Sequence, residues 1–301
     1  MNALLRVLAI AVLCWIGNVS ATPLTANQAA VFDQWRAERV ARLRKEDGWL
    51  TLVGLYWFKQ GENTFGRDSS NTLVLDNPSM PPRLGSFELD GRDVHFTASP
   101  GANVTHEGKP VSSIEMLPDS ASDTTVLSAG SLRFFVITRS NKIGLRVRDL
   151  NSPARTEFKG LEYFPPSREW IVNARFEPYH PYKRIPIVNI LGMRESMQSP
   201  GAIVFEKDGH TYRLDTVLED PDDKELFIMF ADATSAHETY GAGRFMYVAF
   251  PKDGYITVDF NRAYNPPCAF SDFATCPLPP PQNRLSLRVE AGEKKYAGRE
   301  H

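Results

Sequence analysis

The sequence predicts a mainly β protein: an N-terminal helix, a β-sandwich, and then an antiparallel β domain of sandwich or small-barrel form. Three observations carry this. From Gly48 onward, short apolar or alternating runs are broken at close intervals by Gly, Pro, Asn and Asp, which is the all-β texture. Two Lys-Asp-Gly turns, at 207–209 and 252–254, supply the positive φ that tight hairpins demand. No repeat of 20–50 residues points to a propeller or solenoid.

Residues 1–21 read as a secretory signal peptide. Arg6 is their only charge, an apolar run follows from Val7 to Ile16, and Val19-Ser20-Ala21 forms a small-residue cleavage signature. The expected mature protein is exported, periplasmic or extracellular, and no later run reaches the roughly 20 apolar residues of a membrane span. Loss of Arg6 leaves 33 basic against 36 acidic residues. That balance offers no footprint for nucleic acid or an anionic membrane surface.

Residues 22–48 hold the helix. Thr25 and Gln28 form a capping box. Phe32, Trp35, Val40 and Leu43 recur on one face, and Gly48 is the expected stop. Residues 49–150 form the first β domain, with strands expected at Leu50–Phe58, Thr72–Leu75, Ser86–Leu89, Val94–Thr97, Leu132–Thr138 and Gly144–Val147. A charged, proline-bearing connection occupies 151–168. Residues 169–297 form the second β domain, with strands expected at Trp170–Phe176, Ile185–Leu191, Ala202–Glu206, His210–Leu218, Glu225–Ala231, Arg244–Phe250, Tyr255–Phe260 and Leu285–Glu290. Eight strands joined by short turns suit a sandwich, or a closed barrel able to hold one small ligand.

Two segments resemble known families. ENTFGRDSSNTLVL at 62–75, through Gly66, Arg67, Asn71, Leu73 and Leu75, resembles the opening of a forkhead-associated domain, and GANVTHEGKPV at 101–111 resembles its later turn pair. The resemblance implies a β-sandwich. Phosphothreonine recognition in that family also uses a Ser-x-x-His pair, whereas Ser79 is followed by Met80, Pro81 and Pro82. Arg67 is therefore expected to position a strand. The segments GWLTLVGLYWFKQGENTFG, MFADATSAHETYGAGRF, VDFNRAYNPPCAFSDFATCPLPPPQNRL and EAGEKKY are similar to a bacterial family known only as domain of unknown function 1684. That likeness implies no reaction.

Candidate chemistry gathers in two places. In ADATSAHETYGAGR, Asp232, Ser235 and His237 suggest a hydrolase set. Triads, however, are assembled from distant segments, and no Gly-x-Ser-x-Gly is present. The alternative is that Asp232 and Thr234 close a turn by bonding backbone amides. The six histidines form no metal-ligand spacing, and Cys268 and Cys276 lie too far apart for a zinc knuckle, so neither metal nor cofactor is expected.

The second place is NPPCAFSDFATCPLPPP, residues 265–281. In an oxidising compartment Cys268 and Cys276 are most simply a disulfide, although a redox pair is an alternative. Asp259, Asn261, Tyr264 and Asn265 enter the segment and Arg284 leaves it, with Tyr240 and Arg244 expected alongside. One reading makes these a site for a small polar or anionic ligand, with Asp232, His237 or Asp259 as catalytic candidates if the protein is an envelope hydrolase. The other makes them an internal network beneath a stapled cover, with Arg244 or Arg284 paired to Asp259. A non-catalytic structural or interaction module is the third possibility. The sequence alone leaves oligomeric state open.

Overall fold

The computed structural model describes residues 22–299. The expected leader over residues 1–21 lies outside them. Thr25 starts the first helix, α1 (Ala26–Arg44), through the expected capping box: its hydroxyl accepts from Gln28 N, and the Gln28 side chain accepts from Thr25 N. The helix stops at Arg44, before Gly48. Gly48 has a different task. A Cβ there would lie 2.4 Å from the Leu43 carbonyl oxygen, so only glycine lets the chain turn against the helix end.

Eleven strands follow: β1 (Leu52–Trp57), β2 (Gly61–Gly66), β3 (Leu73–Val74), β4 (Gly85–Asp90), β5 (Asp93–Ala98), β6 (Thr105–His106), β7 (Lys109–Pro110), β8 (Ser113–Glu115), β9 (Val126–Ala129), β10 (Leu132–Arg139) and β11 (Lys142–Asp149). They form two sheets, ordered β1-β11-β10-β9-β6-β7 and β3-β2-β4-β5-β8. A phenylalanine-rich core, including Phe65, Phe87, Phe96 and Phe134, lies between them. β10 is buried on both faces: Phe134 and Val136 enter this core, while Phe135 and Ile137 are covered from outside it. A strand of an antiparallel sheet is buried on both faces only where something covers the outer one.

The second half supplies β12 (Ile171–Val188), β13 (Arg194–Lys207), β14 (His210–Asp215), β15 (Glu225–Phe230), β16 (Arg244–Ala249) and β17 (Tyr255–Asp259). The sheet β14-β13-β12-β17 packs on the ribbon β15-β16 across a second core that includes Phe205, Phe230 and Phe260. Among the described residues these sheets stay open, so the domain is sandwich-like and not a closed barrel.

Several expected elements change form. Trp170–Phe176 and Ile185–Leu191 merge into the 18-residue β12, which absorbs Pro178 and Pro181 in an irregularity between Pro178 and Lys183. A proline is tolerated in a strand where the ladder is already interrupted. The Lys252-Asp253-Gly254 turn has its positive φ values, but it passes the chain from one sheet to the other and does not pair β16 with β17. Leu285–Glu290 is no regular strand. It runs extended with Leu285, Leu287 and Val289 buried, held by two bonds to the loop after β15: Leu285 N donates to Ala231 O, and Ala233 N donates to Leu287 O.

Candidate functional site

The alternation along β15, ELFIMF, sets the site's position. Leu226, Ile228 and Phe230 point into the second core. Phe227 and Met229 point the other way, into a third core with Phe245, Leu43 of α1, Ile185 and Ile187 of β12, and Phe270. Cys268, Ala269, Ala274 and Cys276 belong to the same cluster. The proline-rich segment is therefore packed as core, and its disulfide joins Cys268 and Cys276 across a Cα separation of 6.1 Å.

Where this third core meets the first sandwich it leaves a cleft of about 890 Å³. Phe227, Phe245, Tyr247 and Tyr264 form its aromatic floor. The rings of Phe227 and Tyr247 stack at 5.0 Å, and those of Tyr247 and Tyr264 at 6.3 Å. Trp35, Arg39, Arg42 and Lys45 line it from α1 and the turn after it. Glu195, Glu219 and Glu225 line it from the second half, and Arg139 comes from β10. Arg139 donates to Thr275 Oγ1 at 3.2 Å, and Arg146 of β11 donates to the same oxygen at 3.4 Å. These two bonds tie the first sandwich to the proline segment. Burial pulls the Arg146 guanidinium down to about 10.

Tyr247 leaves 41% of its surface open and donates a short hydrogen bond to Glu219 Oε2. Desolvation between protein walls pushes the Glu219 carboxyl up, and Asp223 adds to the effect while the Tyr247 bond opposes it. Burial also raises the Tyr247 and Tyr264 phenols, so both stay protonated hydrogen-bond donors. The cleft thus offers one open aromatic side chain, Tyr247, and hydrogen-bonding groups of both kinds in one concavity.

The residues singled out from sequence divide sharply. Tyr264 reaches the cleft, and Cys276 lines its edge. Arg244 does not: it is fully buried, with Nη2 donating to Asp232 Oδ1 at 3.0 Å and to Val289 O at 2.9 Å, and Nη1 donating to Ala291 O. Its carboxylate partner is Asp232 and not the expected Asp259, because both Arg244 and Asp232 face the extended 285–291 segment. Asp232 Oδ2 also accepts from Thr234 N, Thr234 Oγ1 and Val289 N.

Asp259 accepts two bonds from Asn261 and lies 3.5 Å from Arg262. Asn261 in turn clamps Ser167 through both its N and its O. Asn265 N donates to Glu293 Oε2, and Asn265 O accepts from Arg39. Tyr240 is buried in the third core, Arg284 is exposed beside the bridge to Ala231, and His237 is exposed on its loop. Ser235 accepts from Asp232 N, so the loop's side chains and amides satisfy one another as a turn.

Sequence reasoning missed Glu219, Tyr247, Arg42 and Lys45. One signal was available: β15 and β16 are apolar on both faces, so their second face had to be covered, and Tyr247 marks where that cover ends.

Among the described residues no group of three His, Cys, Asp or Glu side chains is disposed to hold a metal, and no helix is long and apolar enough to cross a membrane. Fold and cleft define an open two-sandwich β protein with a mixed polar and aromatic cleft at its junction. Residues 156–294 match the family described as "Protein of unknown function (DUF1684)". It is similar to an uncharacterized protein of Haloarcula marismortui solved by solution NMR, at 32% identity over 48% of this chain and 81% of that one, with a TM-score of 0.41. It is also similar to the FhaA FHA domain complexed with the intracellular domain of Rv3910, at 17% identity over 31% of this chain and 97% of that one, with a TM-score of 0.22. A further FHA domain, from a study of phosphothreonine-dependent interactions, matches at 18% identity over 33% of this chain and 96% of that one, also with a TM-score of 0.22. No curated protein matches the chain.

Proposed function

We propose that this is an exported binding protein whose junctional cleft takes a small organic ligand with a flat apolar part and polar groups. One observation carries the reading: Tyr247, on the cleft floor, leaves 41% of its surface open while its hydroxyl is held by Glu219. An open aromatic with a fixed polar tip inside a concavity is the arrangement by which small-molecule sites supply both contact area and orientation. The volume falls within the roughly 300–1,000 Å³ of such sites. Export is supported by the leader-like first 21 residues and by a disulfide, a bond that persists in oxidising compartments.

The test is an NMR screen of the labelled protein with small neutral aromatics. Shift changes should concentrate at Tyr247, Tyr264 and Thr275, and Tyr247→Ala should weaken them about tenfold or more while leaving the rest of the spectrum folded. Changes scattered over the surface, or none at millimolar concentration, would remove the reading.

A catalytic reading has one observation in its favour. The carboxyl best suited to carry a proton in the cleft is Glu219, raised by burial and bonded to Tyr247, whereas Asp232 and Asp259 are engaged with internal donors. Turnover that Glu219→Gln abolishes without loss of ligand binding would establish that reading over the first.

A further inference from the structure

We infer that the ligand of this cleft is a short zwitterionic peptide, its free carboxylate held by Arg42 and Lys45 and its free amine by Glu225 and Glu219. The inference rests on the binding reading above and adds the ligand's class.

Several charges that line the cleft are already used. Arg39 is spent on Glu293 at 2.9 Å and on Asn265 O at 2.8 Å, and its guanidinium lies over the Tyr264 ring at 4.7 Å. Arg139 is paired with Asp119 at 2.8 Å, and Arg262 lies 3.5 Å from Asp259. Arg42 and Lys45 are exposed, and neither side chain enters an ion pair or hydrogen bond among the described residues. They stand at the last turn of α1 and at the residue after it. The negative end of the helix favours cations at these positions.

On the acidic side, Glu225 has no ion pair among the described residues, and Glu195 has only the Ser140 hydroxyl at 3.5 Å. Glu219 accepts from Tyr247 through Oε2 alone, which leaves Oε1 free to accept from an amine. The free cations come from the helix and its following turn, which also carries Asp47 near the Arg148 guanidinium, and the other carboxylates come from β13, β15 and the loop before β15. The cleft is therefore charged but not of one sign.

That distribution selects among ligand classes. A polyanion would meet Glu195, Glu219 and Glu225, and a polycation would meet Arg42 and Lys45. Like-charge contacts of this kind are what interfaces use to reject partners. A molecule with one charge of each sign and an apolar body between them meets no such penalty. The open surface of Tyr247, backed by the Phe227 and Tyr264 rings stacked on it, receives that body. A cleft of about 890 Å³ near the upper end of small-molecule sites leaves room for more than a single amino acid.

The experiment is calorimetric titration of the full chain at neutral pH with phenylalanyl-phenylalanine, its N-acetyl form and its C-terminal amide. The free dipeptide should bind, and blocking either end should weaken binding about tenfold or more, the worth of one hydrogen bond to a charged group. In the Arg42→Ala/Lys45→Ala variant the amide should bind as well as the free dipeptide, while acetylation still costs affinity. In the Glu219→Gln/Glu225→Gln variant the pattern should reverse. Equal affinity of all three forms, or no binding of any, would overturn the inference. Should neutral aromatics still perturb Tyr247 and Tyr264 in that case, the binding reading would stand with a different ligand class; should they not, both would fall together.

Discussion

At the scale of single residues, Arg244 shows how a polar side chain chosen for a ligand can serve the fold. Sequence marked it as a cation beside the proline segment, and it equally allowed that such a cation would be consumed internally. The structure selects the internal role: the guanidinium reaches Asp232, Val289 O and Ala291 O with no surface exposed. The pairing was not legible because Asp232 and Arg244 meet through the irregular 285–291 segment, whose course depends on tertiary packing and not on periodicity. Removing one partner of a buried pair leaves the other charge desolvated, which typically costs about 3–5 kcal/mol. Asp232 keeps three donors, so Arg244→Met should lower the unfolding free energy by about 3 kcal/mol, read from urea transitions. A loss below about 1 kcal/mol would mean that the 285–291 segment is held by its apolar side chains alone.

At the scale of elements, the proline-rich segment was legible in part. Its cysteines were recognised as a disulfide, and its prolines exclude helix and central strand. Its burial was not legible, because Ala269, Phe270 and Ala274 carry no period from which a covered face could be read. The segment is a packed wall whose edge, at Thr275 and Cys276, borders the cleft. β12 tells the complementary story. Two strands were expected, at Trp170–Phe176 and Ile185–Leu191, yet one element spans both, with a register shift between Pro178 and Lys183. The disulfide closes a short loop, for which chain entropy gives about 2–3 kcal/mol. Cys268→Ala/Cys276→Ala should lose that much in denaturant unfolding, and chemical reduction of the unaltered protein should lose a similar amount. If the reduced protein keeps its full stability, the packing of Phe270 and its neighbours holds the wall unaided.

At the scale of the whole molecule, a helix and two β domains were legible from capping and strand texture, the second only as a barrel or sandwich, but the third core was not. It draws Leu43 from α1, Leu50 from the turn after it, Ile187 from β12, Phe227 from β15 and Phe270 from the proline segment. Such a set is recognisable only once the chain is folded. The helix is its keystone: Arg39 of α1 bonds Glu293 at 2.9 Å, with both side chains nearly or wholly buried. The segment that the family model matches, residues 156–294, therefore lacks the partner of its own buried carboxylate. A fragment of residues 156–299 would leave Glu293 with Asn265 N as its remaining donor and would strip Leu43 and Leu50 from the third core. Loss of the ion-pair partner costs about 3–5 kcal/mol, and each missing core leucine costs about 2–5 kcal/mol. The sum is comparable to the whole stability of an ordinary domain, about 5–15 kcal/mol. The fragment should consequently show little dispersion in its amide spectrum and no cooperative urea transition at 25 °C. Adding a peptide of residues 22–50 should restore both. A fragment that unfolds cooperatively at the full chain's midpoint would show that the second sandwich stands on its own core. In that case α1 and the residue after it would serve only to complete the cleft, supplying Trp35, Arg42 and Lys45 to a wall the rest of the chain already holds.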